Sequence, residues 1–597
     1  MSVTLQTIFA AYTARNYAAA QGMMNSYRAA NPETAQSAHL QGLISRRLGD
    51  IDGALGWMRH SLRLDPGNHE YLNNYAGCLL AAGRSAEAAD AWKQAAKARP
   101  AEAVYAEGLV SALSASGDHQ AAERAARALT AGSGASRSNS WVAAAKAYYA
   151  AGMYLEAISA FEKAADLGGD PASCLAGRID ALALMDRTDE LAAMLDEQPA
   201  SLRGHVSVQS ACARATFLAG KPSDAVRMFQ DIWSRQATIS TFRDLAQALW
   251  TAGKTEEFEA LIESVARTGD PAFVAVAADC LYQIDRHADA LALLARLPEA
   301  SLASPQIAGL RAIVLQGMGE GEQSLELARI DYAARPHDSG CATNLVVSLL
   351  MTGAYGEADE LISKFRSRYP LDQGWLAYQA TLWRLTDNPQ YRKLYDYERF
   401  VRAYHLPGCD GYPDGESLNS ALKSVLEARH VLARSPFNQS LRNGIQTPRS
   451  LLCDPSPAVR AYLSALRGPI SQYLNEIGRD KNHELTCRNT GKFRLSGCWS
   501  VRLYGGGRHV NHFHPAGWIS SAYYVDVPSS TVSGDRKEGC IKFGEPSFKT
   551  ARPAPAEHWV RPSPGLVVLF PSYMWHGTEP ILAGESRMTA PFDVVPE

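Results

Sequence analysis

The 597-residue chain lacks a basic excess, a long apolar run and paired cysteines, and each absence excludes a class of protein. Its formal net charge of −3 argues against non-specific nucleic-acid binding, which needs a basic surface. No stretch approaches the roughly 18 uninterrupted apolar residues of a membrane-spanning helix, so no membrane insertion is expected. The first residues show no basic segment and no cleavage site, so no signal peptide is expected. The ten scattered cysteines include no C-x-x-C pair, which predicts reduced thiols in a cytoplasmic protein.

What the chain does have is an internal repeat through its first two-thirds. Glycine or aspartate recurs at intervals of 32 to 35 residues, at Gly49, Gly83, Gly117, Gly152, Asp186, Gly220, Gly253, Asp285, Gly319 and Gly353. Five residues later most units carry alanine, at Ala54, Ala88, Ala122, Ala157, Ala225, Ala290 and Ala358. Proline closes several units, at Pro32, Pro66, Pro100, Pro336 and Pro370.

Each repeated residue has a physical reason. A tight turn between antiparallel helices often needs a positive φ, which glycine adopts freely and aspartate tolerates. Alanine lets the second helix approach the first closely, and proline ends a helix. The pattern resembles the tetratricopeptide repeat family, whose unit has about 34 residues. The resemblance implies ten or eleven helical hairpins over residues 5–370, stacked into a superhelix with a long concave face.

Two roles for this array remain open. The resemblance implies that a peptide or protein, either partner or substrate, binds the concave face. Alternatively, the array dimerises the chain or spaces its C-terminal part, and the two roles are compatible.

Beyond the array the sequence changes character twice. Residues 371–436 lose the repeat and become dense in aromatic residues, which predicts a helical connector that seals the end of the array. Residues 437–597 carry short runs rich in β-forming residues between glycine, proline and serine, which predicts strands. We therefore expect an α + β multidomain chain, with an array over residues 1–370, the connector and a compact β domain.

Histidines mark a candidate metal site in the β domain. His512 and His514 are two residues apart, so on a strand both project to the same face. His576 follows 64 residues later, and Arg587 opens the last strand.

This constellation resembles the Fe(II)- and 2-oxoglutarate-dependent oxygenases, which fold as a double-stranded β-helix, or jelly roll. Their H-x-D/E motif, distal histidine and following Arg or Lys match "HFH", His576 and Arg587, and "YGGGRHVNHFH" matches the upstream spacing of prolyl-hydroxylase-like members. The resemblance implies Fe(II) held by His512, His514 and His576, and 2-oxoglutarate held through its far carboxylate by Arg587. Ascorbate is an expected supporting reductant.

The resemblance also assigns supporting residues. Tyr504 is expected to donate a hydrogen bond to the same carboxylate, and Thr589 is a weaker candidate for that role. A bacterial subgroup of these oxygenases has H-x-H in place of H-x-D, which leaves the metal without a carboxylate ligand. His514 is therefore either a third ligand or a neighbour of a metal-bound water. An all-histidine site would also suit Cu(II), Ni(II) or Zn(II).

Other residues keep two interpretations. His509 is a loop residue at the pocket mouth or a substrate contact, and Trp575 packs in the core or lines the pocket. The segment with Asn438, Gln439 and Arg442 is a candidate pocket lip.

The expected function is a dioxygenase that hydroxylates a peptide or protein recruited by the repeats. The alternatives are a three-histidine dioxygenase that uses no oxoglutarate, and a non-catalytic repeat scaffold with a degenerate metal-binding barrel.

Overall fold

The computed structural model describes residues 3–409, 411–533 and 536–597. It confirms the predicted α + β class, with helices first and antiparallel sheets after them. The helices before the first strand are α1 (Leu5–Thr13), α2 (Tyr17–Ala30), α3 (Ala35–Arg47), α4 (Ile51–Leu64), α5 (His69–Ala81), α6 (Ser85–Ala98), α7 (Ala103–Ala115), α8 (His119–Ala131), α9 (Ser138–Ala150), α10 (Tyr154–Asp166), α11 (Pro171–Leu184), α12 (Thr188–Asp196), α13 (Ala200–Arg203), α14 (Val206–Leu218), α15 (Pro222–Arg235), α16 (Ile239–Thr251), α17 (Thr255–Ala266), α18 (Pro271–Tyr282), α19 (His287–Leu294), α20 (Glu299–Leu302), α21 (Pro305–Met318), α22 (Gly321–Ala334), α23 (Ser339–Thr352), α24 (Tyr355–Arg368), α25 (Gln373–Leu385), α26 (Gln390–Leu394) and α27 (Tyr397–Phe400).

The remaining elements belong to the β domain and its approach. They are β1 (Arg402–His405), α28 (Gly415–Arg429), β2 (Leu441–Gln446), α29 (Pro457–Ala465), α30 (Arg467–Ile477), β3 (Phe493–Cys498), β4 (Val501–His509), β5 (Ile519–Asp526), α31 (Ser529–Ser533), β6 (Ile541–Phe543), β7 (His558–Val560), β8 (Leu566–Pro571), β9 (His576–Thr578), β10 (Ser586–Thr589) and β11 (Phe592–Pro596), with short 3₁₀ helices at Leu451–Cys453 and Thr486–Arg488. None of the helices in the described ranges is long and apolar enough to cross a membrane.

The predicted turns adopt the backbone conformation that the sequence pattern requires. All ten repeating Gly and Asp positions have positive φ, from +59° at Asp186 to +87° at Gly49. Arg15 and Asp387 also have positive φ, and they lie 34 residues before the first and 34 residues after the last of the ten. The same turn therefore recurs once more at each end of the series.

Alanine at the repeated position packs without exposed surface. Ala54, Ala157 and Ala358 are each fully buried, and so is Phe258, which replaces alanine in its unit. Full burial at this position in the alanine-bearing units agrees with the close approach of paired helices that the pattern predicts.

The chain divides into two compact units, residues 1–182 and 183–597. The first unit holds helical hairpins around small alanine-rich cores. The second holds the later hairpins, the connector and the β domain. One core runs through it from α23 and α25 into the strands, so these repeats and the β domain fold around shared apolar side chains.

Two antiparallel sheets build the β domain. One has the order β1-β8-β5-β10-β4-β2, with β11 pairing both β5 and β3. The other has the order β7-β6-β9. The chain passes between them from β5 to β6 and again from β8 through β9 to β10, as in a jelly roll. The end of β4 lies beside β9, where the two sheets meet.

Within the second unit, the β domain and connector lie along the turn edge of the repeats. Seven successive turns meet them, in the pairs Asp186–Arg449, Gly220–Val431, Gly253–Ala433, Asp285–Arg442, Gly319–Lys549, Gly353–Ala551 and Asp387–Arg552. Four of the seven turn residues are glycines, and because glycine has no side chain the neighbouring residue can lie close to the turn backbone. This arrangement brings one repeat turn next to the candidate metal site.

Candidate metal centre and cavity

Backbone pairing at the junction of the two sheets positions the three histidines. His512 follows β4 and exchanges two hydrogen bonds with His576 at the start of β9, with N–O distances of 2.8 and 2.9 Å. The His514 amide donates to the Ser572 carbonyl at 2.9 Å. Gly577 permits this pairing, because a Cβ there would lie 2.4 Å from the Asn511 side-chain oxygen.

The three rings converge on one point. Their ligand nitrogens all lie within 4.8 Å of one another. The Nε2 atoms of His512 and His514 are 3.3 Å apart, and the rings of His512 and His576 have centroids 4.2 Å apart. The structure thus brings together the three histidines that the sequence singles out, in an arrangement that can hold one metal ion.

The outward nitrogen of each ring is occupied by a hydrogen bond. His512 Nδ1 donates to the Val510 carbonyl at 2.8 Å, and His576 Nδ1 donates to the Met574 carbonyl at 2.9 Å. His514 Nδ1 donates to Asp593 Oδ1 at 2.6 Å. Such bonds fix the ring orientation and leave Nε2 free to bind metal, as in known metal sites.

Burial and neighbouring charges give the three histidine rings different pKa values. Burial lowers the pKa of His512 to about 3 and holds the pKa of His576 well below its usual range. Burial also acts on His514, but the adjacent Asp593 carboxylate outweighs it and raises the pKa of that ring. His512 and His576 are therefore neutral at physiological pH, with lone pairs available to a metal.

His509 stands apart from the triad. Its Nδ1 is 2.9 Å from Ser440 Oγ, and its ring lies 6.0 Å from that of His512. Its backbone amide donates to Thr578 Oγ1. The His509 side chain lines the cavity in front of the triad. The residue ends strand β4, where it pairs with Leu441, so the prediction of a loop position is wrong.

A cavity of about 850 Å³ opens in front of the triad. Arg587, on β10, is almost fully buried at its wall; Nη1 donates to the Gly539 carbonyl at 2.5 Å, while Nε has no partner among the described residues. The Tyr524 hydroxyl is likewise buried and unpartnered in the described part of the chain, and its ring lies 5.7 Å from the Arg587 guanidinium carbon. Two neighbouring buried donors of this kind can both donate hydrogen bonds to an anion in the cavity.

The protonation states of Arg587 and Tyr524 also favour an anion as their ligand. Burial raises the pKa of Tyr524 to about 12, so the phenol keeps its proton. Burial lowers the pKa of Arg587, but a guanidinium does not lose its charge in proteins. Thr589, two residues beyond Arg587, is buried and lines the same cavity.

Two other predicted residues lie away from the cavity wall. Tyr504 is 37% exposed and, within the described ranges, is not among the cavity-lining residues. Trp575 is buried in the shared core, where its indole N–H donates to Thr381 Oγ1 at 2.9 Å. Its ring also packs against the buried Tyr378 of α25, which supports the core interpretation of this tryptophan.

One wall of the cavity comes from the repeats. Tyr282, Gln283 and His287 lie around the turn between α18 and α19, and they line the cavity together with the triad. The predicted lip residues Asn438, Gln439 and Arg442 line it too. Arg442 forms an ion pair with Asp285 of the same turn, which ties the lip to the repeat.

Sequence reasoning missed Tyr524, Asp593 and the repeat wall. Tyr524 lies in "WISSAYYVDV", where alternation along a strand could have placed it on the same face as Ala522. Asp593 is 79 residues from His514, and Asp285 is 157 residues from Arg442. No local pattern reports contacts across such distances.

Comparison with known protein families agrees with both halves of the sequence analysis. The family model described as "Putative 2OG-Fe(II) oxygenase" matches residues 497–593, which include the triad and Arg587. A tetratricopeptide repeat model matches residues 10–69. The chain therefore carries a tetratricopeptide repeat region at its N-terminus and an oxygenase-type domain at its C-terminus. A search of curated protein sequences gave no match.

Several solved structures resemble part of the chain at low sequence identity. The structure titled "Functional Characterization of Pseudomonas Aeruginosa pilF" is 18% identical and covers 35% of this chain and 95% of its own, with a TM-score of 0.30. PilW, titled a type IV pilus biogenesis factor, is 17% identical and covers 35% and 96%, with a TM-score of 0.31. MamA from Desulfovibrio magneticus RS-1 is 15% identical and covers 35% and 99%, with a TM-score of 0.24.

Proposed function

We propose that the protein is an Fe(II)- and 2-oxoglutarate-dependent dioxygenase that hydroxylates a peptide or protein segment held between the β domain and the repeats. One observation carries the proposal. Three convergent histidine nitrogens and a buried, partly unpartnered arginine open into one cavity. The family match over residues 497–593 supports the same reaction class.

His512, His514 and His576 would hold the metal. Imidazole is a good ligand for Fe(II), and three ligands on one side leave positions for a co-substrate and O₂. The 3.3 Å separation of the His512 and His514 Nε2 atoms favours His514 as a ligand over a neighbour of bound water. When bound, the iron and oxoglutarate supply the oxidising chemistry, while the protein binds and orients the reactants.

Arg587 and Tyr524 would hold the far carboxylate of oxoglutarate. A dicarboxylate entering the cavity would give the buried Arg587 Nε and the Tyr524 hydroxyl an acceptor, which neither has among the described residues. Thr589 lies on the same wall and can contribute its hydroxyl. We assign the tyrosine role to Tyr524 rather than to the exposed Tyr504, because Tyr524 lies beside Arg587.

The repeat wall supports a substrate that contacts both parts of the second unit. Gln283 and His287 of the repeats face the same cavity as Asn438 and Gln439 of the lip. The Asp285 and Arg442 charges neutralise each other. The uncharged side chains can exchange hydrogen bonds with the amide N–H and C=O groups of a substrate peptide. They therefore favour a peptide backbone as the group held near the metal.

Succinate release from oxoglutarate, measured with Fe(II), ascorbate and O₂, tests the reaction class. We expect slow release without substrate, and loss of release in His576→Ala and Arg587→Ala. Release that is absent under all conditions would contradict the proposal. Oxidation that proceeds without oxoglutarate and survives Arg587→Ala would instead support a three-histidine dioxygenase.

A further inference from the structure

Among the described residues, Asp593 is the one charged group that serves as an outer hydrogen-bond partner of the three histidines. Its Oδ1 accepts from His514 Nδ1 at 2.6 Å and from Ser520 Oγ at 2.7 Å. Ser520 Oγ is in turn 2.8 Å from Ser572 Oγ. The side chains of Asp593 and His514 are each only 15% exposed. The carboxylate is therefore held in a fixed position behind the ring.

The local fold is built around this carboxylate. Asp593 on β11 lies opposite Ser520 on β5 in the sheet register, so the two side chains stand next to each other. Gly517 leaves the space beside them free, because a Cβ there would lie 2.3 Å from Ser572 Oγ and 3.6 Å from Asp593 Oδ1. Ser572 also binds the His514 amide through its carbonyl. Ser572 thus holds the His514 backbone, and Asp593, which Ser520 supports, holds the His514 ring.

The position of the Asp593 carboxylate matters because the H-x-H motif provides no carboxylate ligand for the metal. Three neutral imidazoles give a bound divalent cation no negative charge. The outer partners of His512 and His576 are uncharged carbonyls. In the described part of the chain, only the His514 ring has a carboxylate behind it, and His514 stands where the H-x-D motif has its carboxylate. A carboxylate that accepts the outer N–H raises the basicity of a metal-bound imidazole.

We propose that Asp593 is a positioning residue that orients His514 as the third metal ligand and supplies, one hydrogen bond away, the negative charge that a ligand carboxylate would supply. The inference rests on the proposed function only in taking the triad to be a metal site. It requires no assumption about oxoglutarate or substrate.

Metal affinity of the full chain tests this role directly. Co(II) is the probe, because its visible absorption reports the ligand set as well as the binding constant. We compare the unaltered protein with D593N, H514D and the double variant H514D/D593N. Asp526 lies near the surface on β5 in an ion pair with Lys423, so D526N is the matched control for loss of one aspartate charge.

D593N should weaken Co(II) binding by about 10- to 100-fold, the usual effect of losing an outer partner of a metal ligand. H514D should also weaken it, because the new carboxylate would lie against Asp593 and repel it. H514D/D593N should bind Co(II) more tightly than H514D, since asparagine can donate to the new carboxylate. D526N should bind as the unaltered protein does.

Two results would overturn the assignment. The first is D593N with unchanged affinity and an unchanged Co(II) spectrum. The second is a loss of Co(II) binding free energy in H514D/D593N that equals the sum of the losses in the two single variants. Such additivity would show that residues 514 and 593 are not coupled. Circular dichroism and metal-free thermal unfolding check every variant. Should D593N fail to fold, Ser520→Ala replaces it; we then expect a smaller loss, and unchanged affinity would contradict the role.

The test separates this inference from the proposed reaction. Normal Co(II) binding by the unaltered protein, together with a strong D593N effect, supports Asp593 even if succinate release is absent. Failure of the unaltered protein to bind Co(II) or Fe(II) would contradict both.

Discussion

Asp285 and Arg442 form an ion pair that joins a turn of the repeat array to the lip of the metal cavity. The turn is one of seven that meet the β domain or its connector at repeat spacing. The repeats therefore contribute to the wall of the candidate active site and are more than a separate binding module. This relationship gives the first prediction.

Arg442→Ala should loosen the cavity wall locally. The pair is partly exposed, with side-chain exposures of 26% for Arg442 and 47% for Asp285. Its loss should thus cost no more than about 1 kcal/mol. We expect faster amide hydrogen exchange around the Asp285 turn and residues 437–442. Arg449→Ala is the matched control, because it breaks the corresponding pair with Asp186 away from this cavity. Unchanged exchange at the Asp285 turn in Arg442→Ala would contradict the prediction.

Replacing single histidines should distinguish the metal ligands from the nearby His509. His512→Ala and His576→Ala should each lower Co(II) affinity by more than the roughly 10- to 100-fold typical of outer-partner changes, because each removes a ligand. His509→Ala should retain binding, since its Nδ1 lies against Ser440 and its ring is outside the triad. Equilibrium titration with Co(II) measures all three. Equal losses in His509→Ala and His512→Ala would show that the ligand set is different.

Arg587→Ala and Tyr524→Phe should weaken oxoglutarate binding to the metal-loaded protein. Truncating a buried charged partner costs about 2–5 kcal/mol, and a hydrogen bond to a charged group is worth about 1.5–3 kcal/mol. Tyr504→Phe should have no effect, because Tyr504 is exposed and outside the cavity wall. Calorimetric titration with oxoglutarate measures each. A large effect of Tyr504→Phe without one of Tyr524→Phe would favour the role expected from the family resemblance.

The β domain should not fold well without its repeats. Trp575 packs on Tyr378 of α25 and donates to Thr381 of the same helix, and this core continues through the strands. Residues 437–597 alone would expose these apolar side chains, which favours aggregation. Residues 183–597 keep them covered. Thermal unfolding of both fragments checks this, and a cooperative, soluble fragment 437–597 would contradict it.

Short-range patterns in the sequence predicted much of this structure. Positive φ at all ten repeating glycines and aspartates follows from turn geometry alone. Arg15 and Asp387 also have positive φ. Arg15 is neither glycine nor aspartate, and Asp387 lies in the segment where the repeat pattern of the sequence is lost. The cluster of three histidines was predictable because His512 and His514 are two residues apart and the position of His576 matches the distal histidine of the oxygenase motif.

What the sequence did not reveal depends on tertiary packing. Tyr504 and Tyr524 are both strand tyrosines, and only the paired strands show that Tyr524 lies beside Arg587. Asp593 becomes part of the site through the pairing of β11 with β5. Its sequence neighbours show only an ordinary apolar strand.

The visible absorption spectrum of the Fe(II)-loaded protein, recorded without oxygen before and after addition of oxoglutarate, tests the central claim most directly. We predict a charge-transfer band that appears on addition in the unaltered protein. The band should require His512 and His576, and it should need much more oxoglutarate in Arg587→Ala. Fe(II) binding with no new band at saturating oxoglutarate would contradict the account.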